Sequence, residues 1–174
     1  MSRVFFTSDL HFGHTNLCRH IRNMSAEESD ELIIRNWNKK VTKRDIVYMN
    51  GDFTMEKPAI ISKYVKQLHG EIRIIGGNHD TVPCCKEFLR LGIQVVGNIE
   101  YKGFLLSHVP LHPREVDFFL GNIHGHIHDK TVDLGYKYIN VNTEFHNYTP
   151  VLFDDLFGAY LEKNINYFDN NTII

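Results

Sequence analysis

The sequence predicts an α/β fold carried by a mostly parallel sheet with helices packed on it. Short apolar runs of strand length alternate with helix-patterned segments through the first half of the chain, the β-α-β-α-β-α order that such sheets require. Each of these runs ends in a polar cluster of Asp, Asn, His and Gly, placed where the loops of an open α/β sheet converge on a ligand. At 174 residues and 43% hydrophobic content the chain can bury a complete core without staples, and one domain, 1–174, is expected.

In chain order, Arg3–Thr7 reads as a first, buried strand, and Thr15–Arg22 as a short helix. Ser25-Ala26-Glu27-Glu28 fits a capping box, with Ser25 as N-cap and Glu28 reaching back to it. The helix it opens runs to about Lys40, with Leu32, Ile33, Trp37 and Val41 on one face. Asp45–Met49 is a second strand, ending at Asn50-Gly51-Asp52. Pro58 suits the first turn of the next helix, whose apolar face is Ile61, Val65 and Leu68 and whose stop is Gly70. Glu71–Ile75 is a third strand, running into Gly76-Gly77-Asn78-His79-Asp80. Pro83–Leu91 reads as a helix closed by Gly92. Strands then predominate: Ile93–Ile99, Glu100–Ser107 with Lys102-Gly103 as a turn, Gly121–His126 and Tyr136–Asn142. A second sheet is expected from them. A last helix is expected over Phe153–Asn164, and the Asn-rich residues 165–174 read as a frayed tail.

A formal net charge of -2 gives no global pull toward nucleic acid or anionic membrane. The three cysteines, Cys18, Cys84 and Cys85, are odd in number and two are adjacent, which argues against a disulfide framework and for a reducing, cytoplasmic setting. The N-terminal segment turns polar by Thr7, too soon for a signal peptide. No apolar run approaches the ~20 residues of a membrane span, so no membrane partner is expected.

The notable count is 11 histidines, and their positions carry the chemistry. Asp9 and His11 follow the first strand, Asp52 the second, and Asn78, His79 and Asp80 the third. His108 follows Phe104-Leu105-Leu106-Ser107. In Gly125-His126-Ile127-His128, an extended backbone would point both histidines the same way. Carboxylate, imidazole and amide oxygen without thiolate suit Mn²⁺, Fe, Zn²⁺ or Ni²⁺ rather than a structural cysteine site. The candidate ligands outnumber what one ion takes, and a pair of ions sharing a carboxylate uses them better.

The blocks D-L-H (9–11), G-D (51–52), G-N-H-D (77–80), a lone His108 and G-H-I-H (125–128) resemble, in order, those of the calcineurin-like metallophosphoesterase superfamily. The resemblance implies a four-layer α/β/β/α sandwich of two mixed sheets flanked by helices, and two divalent transition-metal ions, Mn²⁺ foremost. It implies Asp9, His11 and His128 on one ion, Asn78, His108 and His126 on the other, and Asp52 bridging. A hydroxide between the ions would attack phosphorus in line. His79 would act as the catalytic non-ligand, with Asp80 orienting it. One departure matters. Asp52 is followed by Phe53-Thr54-Met55-Glu56-Lys57 and Gly77 is preceded by Ile75-Gly76, so the phosphate-clamping arginines of the protein Ser/Thr phosphatases are missing. The text around the motifs is more similar to small bacterial and phage phosphoesterases.

The expected activity is therefore hydrolysis of a phosphodiester, on a nucleotide or other small molecule. The alternatives are a phosphomonoesterase, a non-catalytic scaffold of the same fold, and a zinc module that binds nucleic acid. His14, Asn16, His112 and Arg114 are candidates for substrate contact. For His14 and Asn16 the competing reading is a helix start capped by Thr15 or Asn16, and for His112 and Arg114 a solvated loop. His124 reads as a packed strand histidine, His20, His69 and His146 as surface or satisfied residues, and Trp37 and Phe118-Phe119 as core or lid packing. Lys39-Lys40 and Lys43-Arg44 read as a solvated helix end before a nucleic-acid contact.

Overall fold

The computed structural model describes residues 2–128 and 135–171, with side chains up to residue 164. The chain runs β1 (Val4–Thr7), α1 (Thr15–Leu17), a π-helical turn (Cys18–Arg22), α2 (Ala26–Lys40), β2 (Ile46–Met49), α3 (Pro58–Val65), β3 (Glu71–Ile75), α4 (Val82–Arg90) and β4 (Gln94–Val96). It continues with β5 (Ile99–Tyr101), β6 (Phe104–Leu106), α5 (Pro113–Val116), β7 (Gly121–His124), β8 (Tyr138–Asn140), a 3₁₀ turn (Thr143–His146), β9 (Val151–Leu152) and α6 (Phe153–Asn171). The strands form two mixed sheets, ordered β4-β3-β2-β1-β9 and β5-β6-β7-β8. β1 to β4 are parallel, as the alternating pattern requires, and β9 adds antiparallel to β1. In the second sheet β5 and β6 form an antiparallel hairpin, and β6, β7 and β8 are parallel.

Period-two alternation divides the first sheet's side chains between two cores. Phe5, Val47, Met49, Ile72 and Ile74 join Ile33 and Trp37 of α2, Ile61 and Tyr64 of α3, and Phe88 of α4. Phe6, Tyr48 and Ile75, on the opposite face, join Phe104, Leu106 and Ile123 of the second sheet and Phe153, Leu156 and Tyr160 of α6. The outer face of the second sheet is covered by the 109–120 segment that contains α5. Asn122 accepts from Leu111 N–H at 2.9 Å, and Tyr138 Oη donates to Leu111 O at 2.8 Å. Among the described residues the flanking layers are thus unequal: α2, α3 and α4 pack against the first sheet, and the short α5 lies over the second.

The capping box at Ser25 forms as expected, with both reciprocal bonds present. Trp37 is fully buried and its indole N–H reaches His69 O at 2.8 Å. Several expectations change. The segment 15–22 is α-helical for three residues and then widens into the π turn. The run 93–99 breaks between β4 and β5, which belong to different sheets. The strand expected to reach His126 stops at His124, and α6 continues past Asn164 to Asn171; residues 172–174 lie outside the described residues. The two-residue β9 and the four-residue α5 are too short for any periodicity to reveal.

The end of the first sheet opposite the ligand-bearing loops is tied by Asp45. Its carboxylate accepts from Arg3 N, Nε and Nη2 and from Thr42 N and Oγ1, at 2.7–3.3 Å. The bond from Arg3 holds this carboxyl well below the usual range, against a smaller opposing effect of burial. Lys40, Lys43 and Arg44 lie at this same end, away from the loops that follow β1 and β2. Asp45→Asn is expected to destabilise the fold by about 2 kcal/mol at neutral pH, the scale of hydrogen bonds to a charged group. Because the folded carboxyl is held low, its contribution is complete above pH about 4 and fades as the pH falls toward the folded value. Urea unfolding of both proteins from pH 7 downward checks this: the gap between them should narrow with acid.

Candidate metal centre

Beyond their last paired residues, β1 and β2 stay zipped together. Asp9 N–H bonds Gly51 O, His11 N–H bonds Asp52 O and Phe12 N–H bonds Phe53 O, at 3.0–3.1 Å. On the other side, Ser8 N–H reaches Val141 O and Thr143 N–H reaches Ser8 O, which joins the end of β1 to the end of β8. Asn50, fully buried, donates from Nδ2 to Ser107 O and Ile123 O in the second sheet. The strand ends of both sheets therefore meet at one place. There the backbone turns sharply: Asp9, His11, Asp52, His126 and His128 have φ of +57°, +48°, +60°, +73° and +43°. Left-handed backbone in non-glycine residues costs about 1–2 kcal/mol each and gathers at functional sites. Two glycines permit the close approach. A Cβ on Gly77 would strike Asp52 Oδ1, and one on Gly125 would strike Asp9 Oδ2 and Ser8 Oγ.

Two ligand clusters result. Asp9, His11 and His128 form one and Asp52, His108 and His126 the other, with the donor atoms within each lying within 4.8 Å of one another. In the first, Asp9 Oδ1 is 3.8 Å from both His11 Nε2 and His128 Nε2. In the second, His108 Nε2 faces Asn78 Oδ1 at 2.9 Å, His126 Nδ1 at 3.1 Å and Asp52 Oδ2 at 3.3 Å. His108 Nδ1 sits 2.8 Å from Asn50 O, which can only accept, so Nδ1 carries a proton and the neutral ring has its lone pair on Nε2. Asp52 Oδ2 is also 3.6 Å from His11 Nε2, between the two clusters.

Asp9 Oδ1 and both ring nitrogens of His11 are buried without a hydrogen-bond partner. Unpartnered buried polar atoms at a convergence of ligand groups suit a cation, and the oxygen and nitrogen ligand atoms fit a divalent transition metal. Burial opposes charge on Asp9 and Asp52, yet the surrounding imidazoles and N–H groups hold both carboxyls below their usual range. Burial pulls His126 down, with His108 adding to the effect.

The structure places the other expected residues as follows. His79 stands beside Asp52, its side chain 41% exposed, with Nε2 4.0 Å from Asp52 Oδ2 and its ring 5.4 Å from His11. Asp80 does not orient it. The Asp80 carboxylate accepts from the N–H groups of Asp52, Phe53 and Gly77 at 2.8–3.1 Å, so it clamps the backbone that carries Asp52. His126 and His128 do not share the face of an extended strand; two left-handed turns send them into different clusters. His14 itself caps α1, accepting from Leu17 N–H, while its ring packs edge-on against His11 at 5.6 Å. Asn16 is exposed on α1. His112 caps α5 by accepting from Arg114 N–H, and Arg114 is exposed. His124 is buried beside Tyr138, and His69 and His146 contact the carbonyls of Val41 and Asn140. Phe118 is 83% exposed and packs no core.

Three residues at the centre escape a sequence reading. Asn50 stands before the Gly-Asp block as an ordinary polar residue. Arg22 and Glu144 lie 122 positions apart, with no spacing to connect them, yet they pair behind the first cluster at 2.6–2.7 Å.

Comparison with known proteins agrees with this geometry. The family model for calcineurin-like phosphoesterases matches residues 2–159, and the chain belongs to that family. An uncharacterized protein of Methanocaldococcus jannaschii is 34% identical over 166 residues, 88% of this chain and 89% of that one. The gene 66 protein of Mycobacterium phage L5 is 39% identical over 85 residues, 46% of this chain and 41% of the phage protein. A crystal structure of a protein of unknown function from Aquifex aeolicus superposes with a TM-score of 0.72 at 26% identity, covering 91% of this chain and 100% of that one. Among the described residues no helix is long and apolar enough to cross a membrane.

Two outcomes are expected. Asp80→Ala leaves three N–H groups without their acceptor and should lower stability by about 3 kcal/mol in urea unfolding; a wild-type midpoint would show that Asp80 clamps nothing. Mn²⁺ at about 100 times its Kd should stabilise the metal-stripped protein by about 2.7 kcal/mol per site, read as a rise in Tm, and Asp9→Asn should diminish that rise.

Proposed function

We propose that the protein is a dinuclear-metal phosphodiesterase acting on nucleotides or other small phosphodiesters, with Mn²⁺ as the working ion. The observation that carries this reading is Asp52 Oδ2, which lies 3.6 Å from His11 Nε2 in one cluster and 3.3 Å from His108 Nε2 in the other. In this reading Asp9, His11 and His128 hold one ion, Asn78, His108 and His126 the other, and Asp52 both. Divalent ions held there would supply positive charge to the phosphoryl oxygens and Lewis acidity toward water.

The chain's own groups do the rest. Asp80 fixes the Asp52 loop, so the shared carboxylate is aimed before substrate arrives. The backbone N–H of His79 donates to Asp52 Oδ1 at 2.8 Å, which holds the His79 ring at the open rim. From there its imidazole reaches the leaving oxygen and gives it a proton. The diester preference follows from charge. Among the described residues, the arginine that reaches this centre is Arg22, whose guanidinium is buried and engaged by protein acceptors rather than turned to a phosphate. A singly charged diester needs less cationic help than a doubly charged monoester.

With metal occupancy confirmed, bis(p-nitrophenyl) phosphate should be hydrolysed with higher kcat/KM than p-nitrophenyl phosphate. The reverse order would assign a phosphomonoesterase, and turnover of neither would remove the hydrolase reading. His79→Ala should lower kcat by about 10²–10⁴ while metal content stays unchanged. Equal loss of metal would make His79 a ligand, and unchanged kcat would remove His79 from the catalytic machinery. Chelation should abolish activity and added Mn²⁺ restore it.

A further inference from the structure

We propose that Arg22 and Glu144 are positioning residues that preset the Asp9–His11–His128 half of the centre for its ion, Arg22 by fixing the backbone of the Asp9 loop and Glu144 by fixing the tautomer of His128. The inference rests on reading that cluster as a metal site. Arg22 is delivered by the π turn, which ends in Asn23 at φ +55°. Its side chain is fully buried, and all three of its nitrogens are engaged. Nη1 donates to Leu10 O at 3.0 Å and Ser29 Oγ at 2.9 Å. Nη2 donates to Asp9 O at 2.8 Å and lies 2.6 Å from Glu144 Oε1 in an ion pair, and Nε donates to Glu144 Oε1 at 2.7 Å. The Tyr148 ring covers the guanidinium at 5.5 Å. Two of these acceptors are consecutive carbonyls of the segment that carries Asp9 and His11, both held at positive φ. A rigid planar fork can restrain that segment; a flexible lysine ammonium cannot make the same set of bonds.

Glu144 is shared between Arg22 and the ligand. Oε1 takes the guanidinium, and Oε2 lies 3.4 Å from His128 Nδ1. Both Oε2 and Nδ1 are buried and otherwise without a hydrogen-bond partner, so two orphan atoms face each other. A carboxylate can only accept, so the neutral ring must carry its proton on Nδ1. That leaves the lone pair on Nε2, the nitrogen turned toward Asp9 Oδ1 at 3.8 Å. A buried ion pair made for stability alone would leave no such oxygen aimed at a ligand.

Glu144→Gln tests the tautomer. Its Oε1 still accepts from Arg22, but its amide presents a donor to Nδ1 and forces the proton onto Nε2. The metal-stripped full chain is titrated with Mn²⁺ and bound ions are counted by elemental analysis, alongside the thermal melt of the stripped protein and the visible spectrum with Co²⁺. In Glu144→Gln the first ion should bind as in wild type and the second about 10–100-fold more weakly, with a wild-type melt and loss of one component of the cobalt spectrum. Arg22→Lys should weaken the same ion. Binding of both ions at wild-type affinity, or equal weakening of both, overturns the inference. A wild-type protein that binds no metal overturns the site reading beneath it. Where the variants do not fold, ¹⁵N spectra of the wild-type, metal-stripped protein decide. His128 should appear as the Nδ1–H tautomer, and the Nε2–H form overturns the proposal.

Discussion

The join between the two sheets is the constraint on which the rest of the molecule depends. Asn50 reaches across it to Ser107 O and Ile123 O, and its own carbonyl receives His108 Nδ1. Ser8 makes the matching link from β1 to the end of β8. Neither cluster can form within one sheet, because Asp9, His11 and Asp52 come from the first and His108, His126 and His128 from the second. The apolar layer of Phe6, Tyr48, Phe104 and Ile123 presses the sheets together without direction. The directional bonds at the strand ends convert that pressure into a register accurate enough to bring the donor atoms of each cluster within 4.8 Å of one another.

Gathering so many polar groups in a buried place carries an electrostatic penalty, and the structure meets it with other polar groups rather than with solvent. Asp80 is spent on three backbone N–H groups, Arg22 on two carbonyls, a hydroxyl and a carboxylate. Of the buried polar atoms left without a hydrogen bond, Asp9 Oδ1 and His11 Nε2 lie where a cation would sit. The charges that steady the centre and those that line it are therefore separate sets, a separation that lets either be altered with the other in place.

Much of this was legible in the sequence. Asp9, Asp52 and Asn78 stand out because strongly apolar strands give way abruptly to polar residues, and Ser25 and Glu28 announce their helix through local hydrogen bonding alone. Contacts that depend on the third dimension were not. A period-two reading of 125–128 assumes extended backbone, and the left-handed turns at His126 and His128 break it. Asp80 next to His79 invites a pairing that the fold rejects, because three N–H groups lie closer to hand. Arg22 and Glu144 carry no local signature, since what makes them matter is burial, and burial of a charge is a property of the whole fold.

The left-handed ligands have a consequence for which metals the scaffold could ever have learned to hold. Aspartate, asparagine and histidine are the side chains, after glycine, that tolerate such backbone best. They are also hard and borderline oxygen and nitrogen donors. A cysteine introduced at 11, 126 or 128 would meet a conformational penalty before its sulfur met any ion. The loop backbone thus filters donor chemistry ahead of selection for activity. Variation at this centre is channelled toward exchanging one oxygen- or nitrogen-preferring ion for another, and away from thiolate sites.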